Sequence, residues 1–296
     1  MSRWSAARYR AWIACLLSLV AALSSIGCVS LPEGRYALKK LQVEGNRALD
    51  DDDIEQIIAS RASPRFLGVF YGVVYDYEVF DRFVLERDLE RIERYYRARG
   101  FYRARVRAAR VSLKGRGAKV QIRVEEGPPV LVRRVDIHGL EALQPRAAAR
   151  LRAAVGSKLP LGKPFEEEAY QNARDELSRE LSNLGYAYGK AKPAADVDLP
   201  NNAASVGFWV EKGPSTAFGN VRIEGLGPLP ESLVRRTLDI RPGTPYSQNE
   251  LDEAKRALLD LGVFSAVNID PELSKSPPAG DPVQVPIVVR VERAKL

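Results

Sequence analysis

The side chains that could do chemistry are few in this chain. It has 296 residues and holds one histidine, His138, and two cysteines, Cys15 and Cys28. A zinc site takes three or four ligands. Cys15 lies in an apolar N-terminal run that is expected to be removed with a targeting signal, so only His138 and Cys28 would remain. The sequence also lacks GxSxG, HExxH and a glycine-rich phosphate loop. We therefore predict that the protein is not an enzyme and uses neither a metal nor a cofactor.

Four consecutive aspartates at 50–53 form the one acidic cluster that could suggest calcium. A calcium-binding loop needs spaced oxygen ligands, a central glycine and a closing bidentate glutamate. The run has none of these features. Aspartate is favoured in the first turn of a helix, where the helix dipole attracts negative charge. The run therefore predicts the start of a helix over 50–60.

The single histidine ends the alternating segment VRRVDIHG at 132–139. Two similar segments, LKKLQVEG and FGNVRIEG, have Glu44 and Glu224 at the corresponding position. We therefore interpret His138 as a polar residue beside a turn, and not as a base or a metal ligand.

The first 27 residues have the pattern of a targeting signal. Basic residues precede a short apolar run at 13–23, and small residues follow up to Cys28. A membrane-spanning helix needs about 20 apolar residues, so this run is more typical of a secretory signal. LSSIGC resembles the lipobox of bacterial lipoproteins, although Ser25 stands where leucine is usual. We predict a lipoprotein-type signal peptide over 1–27 and lipidation of Cys28, with ordinary cleavage and a free thiol as the alternative.

The composition is that of a folded soluble protein of two or three domains, with 45% hydrophobic and 28% charged residues. The formal net charge is +7, and three of the basic residues lie in the predicted signal. A charge this mild does not indicate a nucleic-acid partner.

Three internal repeats organise the remaining chain. Each begins with an alternating segment that ends in glycine, which predicts a strand and a turn. Each continues with an amphipathic pattern that stops at Gly100, Gly185 or Gly262, where a helix end favours a left-handed residue. Each closes on an apolar strand that ends in Val-Glu. The pattern predicts the unit strand–helix–helix–strand–strand, three times.

This unit and its Val-Glu-Gly-Pro junctions resemble the POTRA domain. RPGTPYSQNELDEAKRALLDLGVFSAVNI (241–269) is similar to POTRA segments of the BamA/TamA superfamily of outer-membrane assembly proteins. The resemblance implies an α+β fold class of three tandem POTRA domains, each β-α-α-β-β with two helices packed on a three-stranded mixed sheet. The predicted domains are 36–127, with an apolar insertion at 63–80, then 128–213 and 214–296.

The resemblance also implies a function. We expect a periplasmic array at the outer membrane that binds or guides outer-membrane β-barrel proteins by strand addition. Its expected partners are these clients, the outer membrane through a lipid anchor, and a membrane β-barrel, either its own C-terminal domain or a separate subunit; nucleic acid is not expected. The alternatives are a scaffold subunit of a barrel-assembly complex, the N-terminal part of a barrel-bearing assembly factor, or a POTRA protein of cell division or two-partner secretion.

Strand addition needs an open sheet edge, which the resemblance assigns to the strand after the second helix of each repeat. This strand is predicted over 102–111 in the first repeat and over 264–270 in the third, and Pro193 is expected to cut it short in the second. The candidate client-binding residues are Arg103, Arg105, Val106, Arg107, Ala266, Val267 and Ile269. A second candidate is an apolar patch in the insertion, formed by Phe66, Phe70, Tyr71 and Tyr75, unless these residues cover their own core.

Overall fold

The computed structural model describes residues 31–64 and 76–294. The predicted signal peptide, Cys28 and the four aromatic residues of the predicted patch, Phe66, Phe70, Tyr71 and Tyr75, lie outside the described residues and stay predictions. The chain divides into two compact units, Met1–Pro128 and Pro129–Leu296. Among the described residues, no helix has the length and apolar character that a membrane span requires.

The described residues of the first unit form one sheet with two helices, called domain 1 here. Its strands are β1 (Ala37–Glu44), β2 (Arg105–Lys114) and β3 (Gly117–Glu125), and its helices are α1 (Asp51–Ile57) and α2 (Arg82–Ala98). The third strand is central, because β3 pairs in parallel with β1 and antiparallel with β2. The aspartate run begins α1, as predicted.

The second unit contains two more sheets of the same kind, called domain 2 and domain 3. Domain 2 consists of β4 (Leu131–His138), a short 3₁₀ helix (Leu140–Ala142), α3 (Pro145–Lys158), α4 (Glu167–Asn183), β5 (Lys190–Asp198) and β6 (Ala203–Glu211). Domain 3 consists of β7 (Thr216–Glu224), α5 (Glu231–Leu238), α6 (Gln248–Asp260), β8 (Phe264–Pro271) and β9 (Val283–Arg293). Their strand orders are β4-β6-β5 and β7-β9-β8, so the last strand is again central. The predicted fold class is confirmed; the domain boundaries stay a prediction.

The repeated glycine and Val-Glu landmarks meet in space. In each domain, the glycine that follows the first strand lies against the carbonyl oxygen of the valine in the closing Val-Glu pair. A Cβ added to Gly45 would lie 2.2 Å from the Val124 oxygen, and at Gly225 it would lie 2.1 Å from the Val291 oxygen. Both glycines have φ near +90° (91° and 88°), which other residues adopt at a steric cost. The close approach of the last strand therefore requires glycine at the end of the first strand.

The first strand of each sheet is covered along part of its outer edge by the segment between the two helices. In domain 2, the Val132 N–H donates to the Lys163 carbonyl at 2.9 Å, and the Gly162 N–H donates to the Val132 carbonyl at 2.8 Å. Domain 3 repeats this with Phe218, which bonds Thr244 and Gly243. A register shift follows in each first strand, and the covering hydrogen bonds end there.

A buried carboxylate joins the two helices of domain 1. Asp88 on α2 is fully buried and accepts hydrogen bonds from the N–H groups of Ala59 (2.9 Å) and Ser60 (2.8 Å), just after α1. Arg91 donates to the same carboxylate at 2.6 Å. Desolvation by burial raises the pKa of Asp88, but the hydrogen bonds from Ala59, Ser60 and Arg91 together outweigh it and hold the pKa below its usual value.

Domains 2 and 3 share a hydrogen-bonded joint centred on Thr216. Its N–H and its hydroxyl both donate to the Gly185 carbonyl, at 2.7 and 2.8 Å. The hydroxyl also accepts the N–H of Ala187 at 3.0 Å. Ala187 and Tyr188 in turn pack against the core of domain 3.

The start of α6 is capped from two sides at the same joint. Ser247 accepts the N–H of Glu250 within domain 3, and Asn183 of domain 2 accepts the N–H of Asn249 at 2.9 Å. Unpaired N–H groups at a helix start need such partners, so domain 2 completes a helix of domain 3.

Candidate functional site

The candidate residues of the edge strand β2 differ in how far their side chains are exposed. The side chains of Arg105 and Arg107 are largely exposed, and Val106 between them is partly buried against the domain 1 core. The predicted strand began too early: Arg103 lies in a turn, because the chain folds back after Gly100 and the Ala104 N–H donates to the Phe101 carbonyl. Arg103 is therefore beside the edge strand and not part of it.

Main-chain groups of Val106 face the open edge. Its N–H donates to the Glu93 carboxylate of α2 at 3.4 Å, and so points away from β3. In an antiparallel pair the N–H and C=O of one residue point to the same side, so the Val106 carbonyl also faces outward. Glu93 is held there by ion pairs with Arg97 and, at 3.6 Å, Arg105.

A groove of about 320 Å³ accompanies this edge. It lies between α2 and β2 and is lined by Leu89, Glu90, Glu93, Arg94, Arg97 and Val106. An extended chain paired with β2 would place alternate side chains over this mixed charged and apolar lining.

The candidate residues of β8 contribute through their backbone. Val267 is only 3% exposed, within the domain 3 core, and Ile269 packs against that core. Ala266 is partly buried and follows a register shift in the β8–β9 ladder. A partner at this edge would therefore meet main-chain groups and the exposed side chains of Ser265 and Asn268.

The prediction that Pro193 shortens the edge strand of domain 2 was wrong. β5 runs through it, and Pro193 lies opposite Phe208 of the central strand. Proline is tolerated because β5 is an edge strand, where a missing N–H can face away from the ladder.

The open face of the domain 2 sheet carries an aromatic pair that the sequence reasoning missed. Trp209 is 47% exposed and stacks on His138, with ring centroids 5.1 Å apart. Arg290 occupies the corresponding place in domain 3, where it pairs with Glu224 at 3.2 Å. The interpretation of His138 as a generic polar residue was therefore incomplete, and its register opposite Trp209 could have revealed the stack.

Groups for metal chemistry are not assembled in the part of the chain that the structure describes. It contains no group of three or more His, Cys, Asp or Glu residues that could hold a metal ion. The shifted pKa values in this part of the chain follow from burial, hydrogen bonds and neighbouring charges. Burial, for example, raises the pKa of Tyr246 to about 12, with the Asp252 charge adding to the effect.

Comparison with known proteins identifies the fold. The POTRA family model, described as surface antigen variable number repeat, matches residues 36–127 and 216–294. The crystal structure of Haemophilus influenzae BamA POTRA3-5 is similar with a TM-score of 0.54 and 20% identity, over 88% of this chain and 99% of that one.

Two curated relatives are similar over most of this chain. The outer membrane protein assembly factor BamA of Neisseria meningitidis serogroup B is 22% identical over 264 residues, which is 87% of this chain. The BamA of Nitratidesulfovibrio vulgaris is 22% identical over 250 residues, or 84% of this chain. The chain spans 31% of the length of each. The family model covers more than half of the chain, and the fold agrees with it. The chain therefore belongs to the POTRA family, within the BamA superfamily.

Proposed function

We propose that this chain is a periplasmic POTRA array that binds extended segments of outer-membrane β-barrel proteins and guides their assembly or translocation at the outer membrane. It acts by strand addition, without catalysis or a cofactor. A lipid on Cys28 or an associated membrane β-barrel holds it at the periplasmic face of the outer membrane. The relatives named as outer membrane protein assembly factors favour this role.

One observation carries the proposal. The first strand of each sheet is bonded along part of its outer edge by its own connecting segment, whereas the second strand of each sheet is an edge without such a segment in the described residues. Main-chain hydrogen bonds to such an edge depend little on the sequence of the added strand. A protein with many different clients needs this property.

Photo-crosslinking in cells tests the proposal. A photoreactive residue replaces Arg107 on β2 or Asn268 on β8, two exposed positions, and adducts are identified by mass spectrometry. The buried Val267 is unsuitable, because a bulky group there would disturb the core. Arg87, exposed on α2, is the matched control.

Adducts with many different outer-membrane proteins at Arg107 and Asn268, and few at Arg87, are expected. A single partner in stoichiometric yield at both edges would contradict client binding and favour a scaffold subunit of a barrel-assembly complex.

A further inference from the structure

A second groove lies in domain 2, on the β4 edge of its sheet. It lies between α3 and the second half of β4 and has a volume of about 490 Å³. Its lining is mainly apolar: Val135, Ile137, Val155, Leu159, Pro160 and Leu161, with Gly156 and Arg152. Leu161 is 65% exposed and so extends the apolar lining to the protein surface.

A glycine in α3 keeps this groove open. Gly156 lies within the last turn of the helix, and a Cβ added there would meet nothing within 4 Å. Its φ is not in the left-handed region, so neither backbone conformation nor packing requires glycine. Glycine inside a helix costs roughly 0.5–1 kcal/mol relative to alanine. Gly156 lines the groove, so a larger side chain at this position would take up part of its space.

The edge of β4 beside the groove is open to pairing. In the described chain, the backbone hydrogen bonds from the connecting segment to β4 end at Val132, before the register shift. The following residues, Val135 to His138, extend for about 13 Å. Val135 and Ile137 lie on the same face, toward the groove. An added strand would therefore direct every second side chain into the apolar lining.

The charge of the groove is positive. Arg152 is exposed at its side, and it has no ion-pair partner within the described ranges. α3 contains no acidic residue, and the connecting segment that follows, 159–166, adds Lys163 and holds one acid, Glu166, at its far end, next to α4. A carboxylate on the occupant would complement Arg152.

Domain 1 shows that this character is not a general property of the repeat. The groove at the corresponding place, beside β1, is lined by Leu41, Asp52, Glu55, Gln56, Ser60, Arg61 and Ala62. It is polar and carries two carboxylates. The apolar, basic groove is thus a feature of domain 2.

We infer that the β4–α3 groove of domain 2 is a second docking site, for an extended polypeptide segment with apolar residues at every second position and a carboxylate near Arg152. The inference rests on the proposed function, because its occupant is such a client segment. It adds a preference for apolar side chains and a carboxylate, which the mixed charged and apolar lining beside β2 does not provide.

Methyl NMR of the full chain tests this inference. The probe is a short synthetic peptide in which valine alternates with threonine and glutamate; a matched peptide has lysine in place of glutamate. Resonances of Val135, Ile137 and Leu161 report on the groove, and those of Val267 and Ile269 report on β8. Gly156→Leu fills the groove, Gly156→Ala is its control, and Arg152→Glu reverses the charge. Gly156→Ala is expected to fold, because the added Cβ meets no atom within 4 Å, and the longer side chain of Gly156→Leu has the groove to occupy.

With the glutamate peptide, we expect saturable shifts of the methyl resonances of Val135, Ile137 and Leu161. Gly156→Leu should weaken this binding about tenfold or more, the scale of losing one well-packed contact. Gly156→Ala should leave it nearly unchanged, and Arg152→Glu should reverse the preference between the peptides.

Three results would overturn the inference. Peptide-induced shifts confined to β8 would exclude the groove as a docking site but would leave the proposed function intact. Equal binding of both peptides would contradict the recognition of a carboxylate by Arg152. Shifts that appear without peptide as the protein concentration rises, and that vanish in Gly156→Leu, would identify a second copy of this chain as the occupant. Shifts in the groove with unchanged resonances at β8 would instead support the inference and count against strand addition at β8.

Discussion

Replacement of Asp88 by asparagine should destabilise domain 1 while leaving its shape almost unchanged. The aspartate accepts two backbone N–H groups and one arginine hydrogen bond, all from a fully buried position. The asparagine oxygen can replace only part of this set, and its NH₂ group meets a donor. One buried donor left unpaired costs about 1–3 kcal/mol, and bonds to a charged acceptor are about twice as strong as neutral ones. We therefore expect a loss of about 2–4 kcal/mol at pH 7.

Native-state hydrogen exchange measures this loss at the groups concerned. The amides of Ala59 and Ser60 should lose protection in Asp88→Asn, and amides of domain 3 should not change. Glu86→Gln is the control on the same helix, because Glu86 pairs with Arg82 at 2.9 Å on an exposed surface. An exposed pair of this kind contributes about 0.3–0.5 kcal/mol.

The difference between the native chain and Asp88→Asn should depend on pH. The pKa of Asp88 is lower in the folded state than its usual value, so its contribution is complete above the unfolded-state pKa of about 3.9. The contribution is lost as the pH falls through the folded-state pKa. Equal stability of Asp88→Asn and Glu86→Gln at pH 7, or a difference that persists unchanged in acid, would refute the reasoning.

Three other substitutions have expected outcomes. Gly219→Ala should lower the stability of domain 3 by about 1–3 kcal/mol in urea unfolding, because its Cβ would lie 2.9 Å from the backbone nitrogen of Pro286; an unchanged midpoint would contradict the close approach. Thr216→Val should cost about 1–3 kcal/mol and expose the Ala187 amide to exchange, because the Ala187 N–H loses its acceptor and the Gly185 carbonyl keeps only the bond from the Thr216 N–H. Glu93→Ala should raise client crosslinking on β2 by roughly 2- to 10-fold, because a client strand would no longer have to displace the hydrogen bond between the Val106 N–H and Glu93. Fewer crosslinks would show that Glu93 assists the client.

The elements of the fold could be predicted because their signals are local. Alternation, helical periodicity and glycines at helix ends each act within a few residues of the chain. The positions of Arg103 and Val267 could not be read in this way. A turn follows Gly100, and a register shift after Phe264 changes which side chains of β8 face the core.

The distant contacts also escaped the sequence reasoning. Asp88 bonds residues 28 and 29 positions away, so its burial has no local signature. Leu159 and Leu161 of the segment SKLPLGKPF line the groove beside β4, which nothing in the local sequence pattern indicates. Only the strand pairing brings that segment to the sheet edge. β2 and β8 lie at the edges of their sheets, and the binding role of their candidate residues remains a prediction.

The central position of the last strand has a consequence for synthesis. The first two strands of each domain do not pair with each other, so neither ladder can form until the third strand has left the ribosome or the translocation channel. Each domain must then close its sheet in a single late event, with contacts between residues far apart in the chain, which slows folding. A chain interrupted before Val283 would lose both ladders of domain 3 at once. Exported chains of this kind would expose two unpaired strands per unfinished domain, the same form in which their proposed clients arrive.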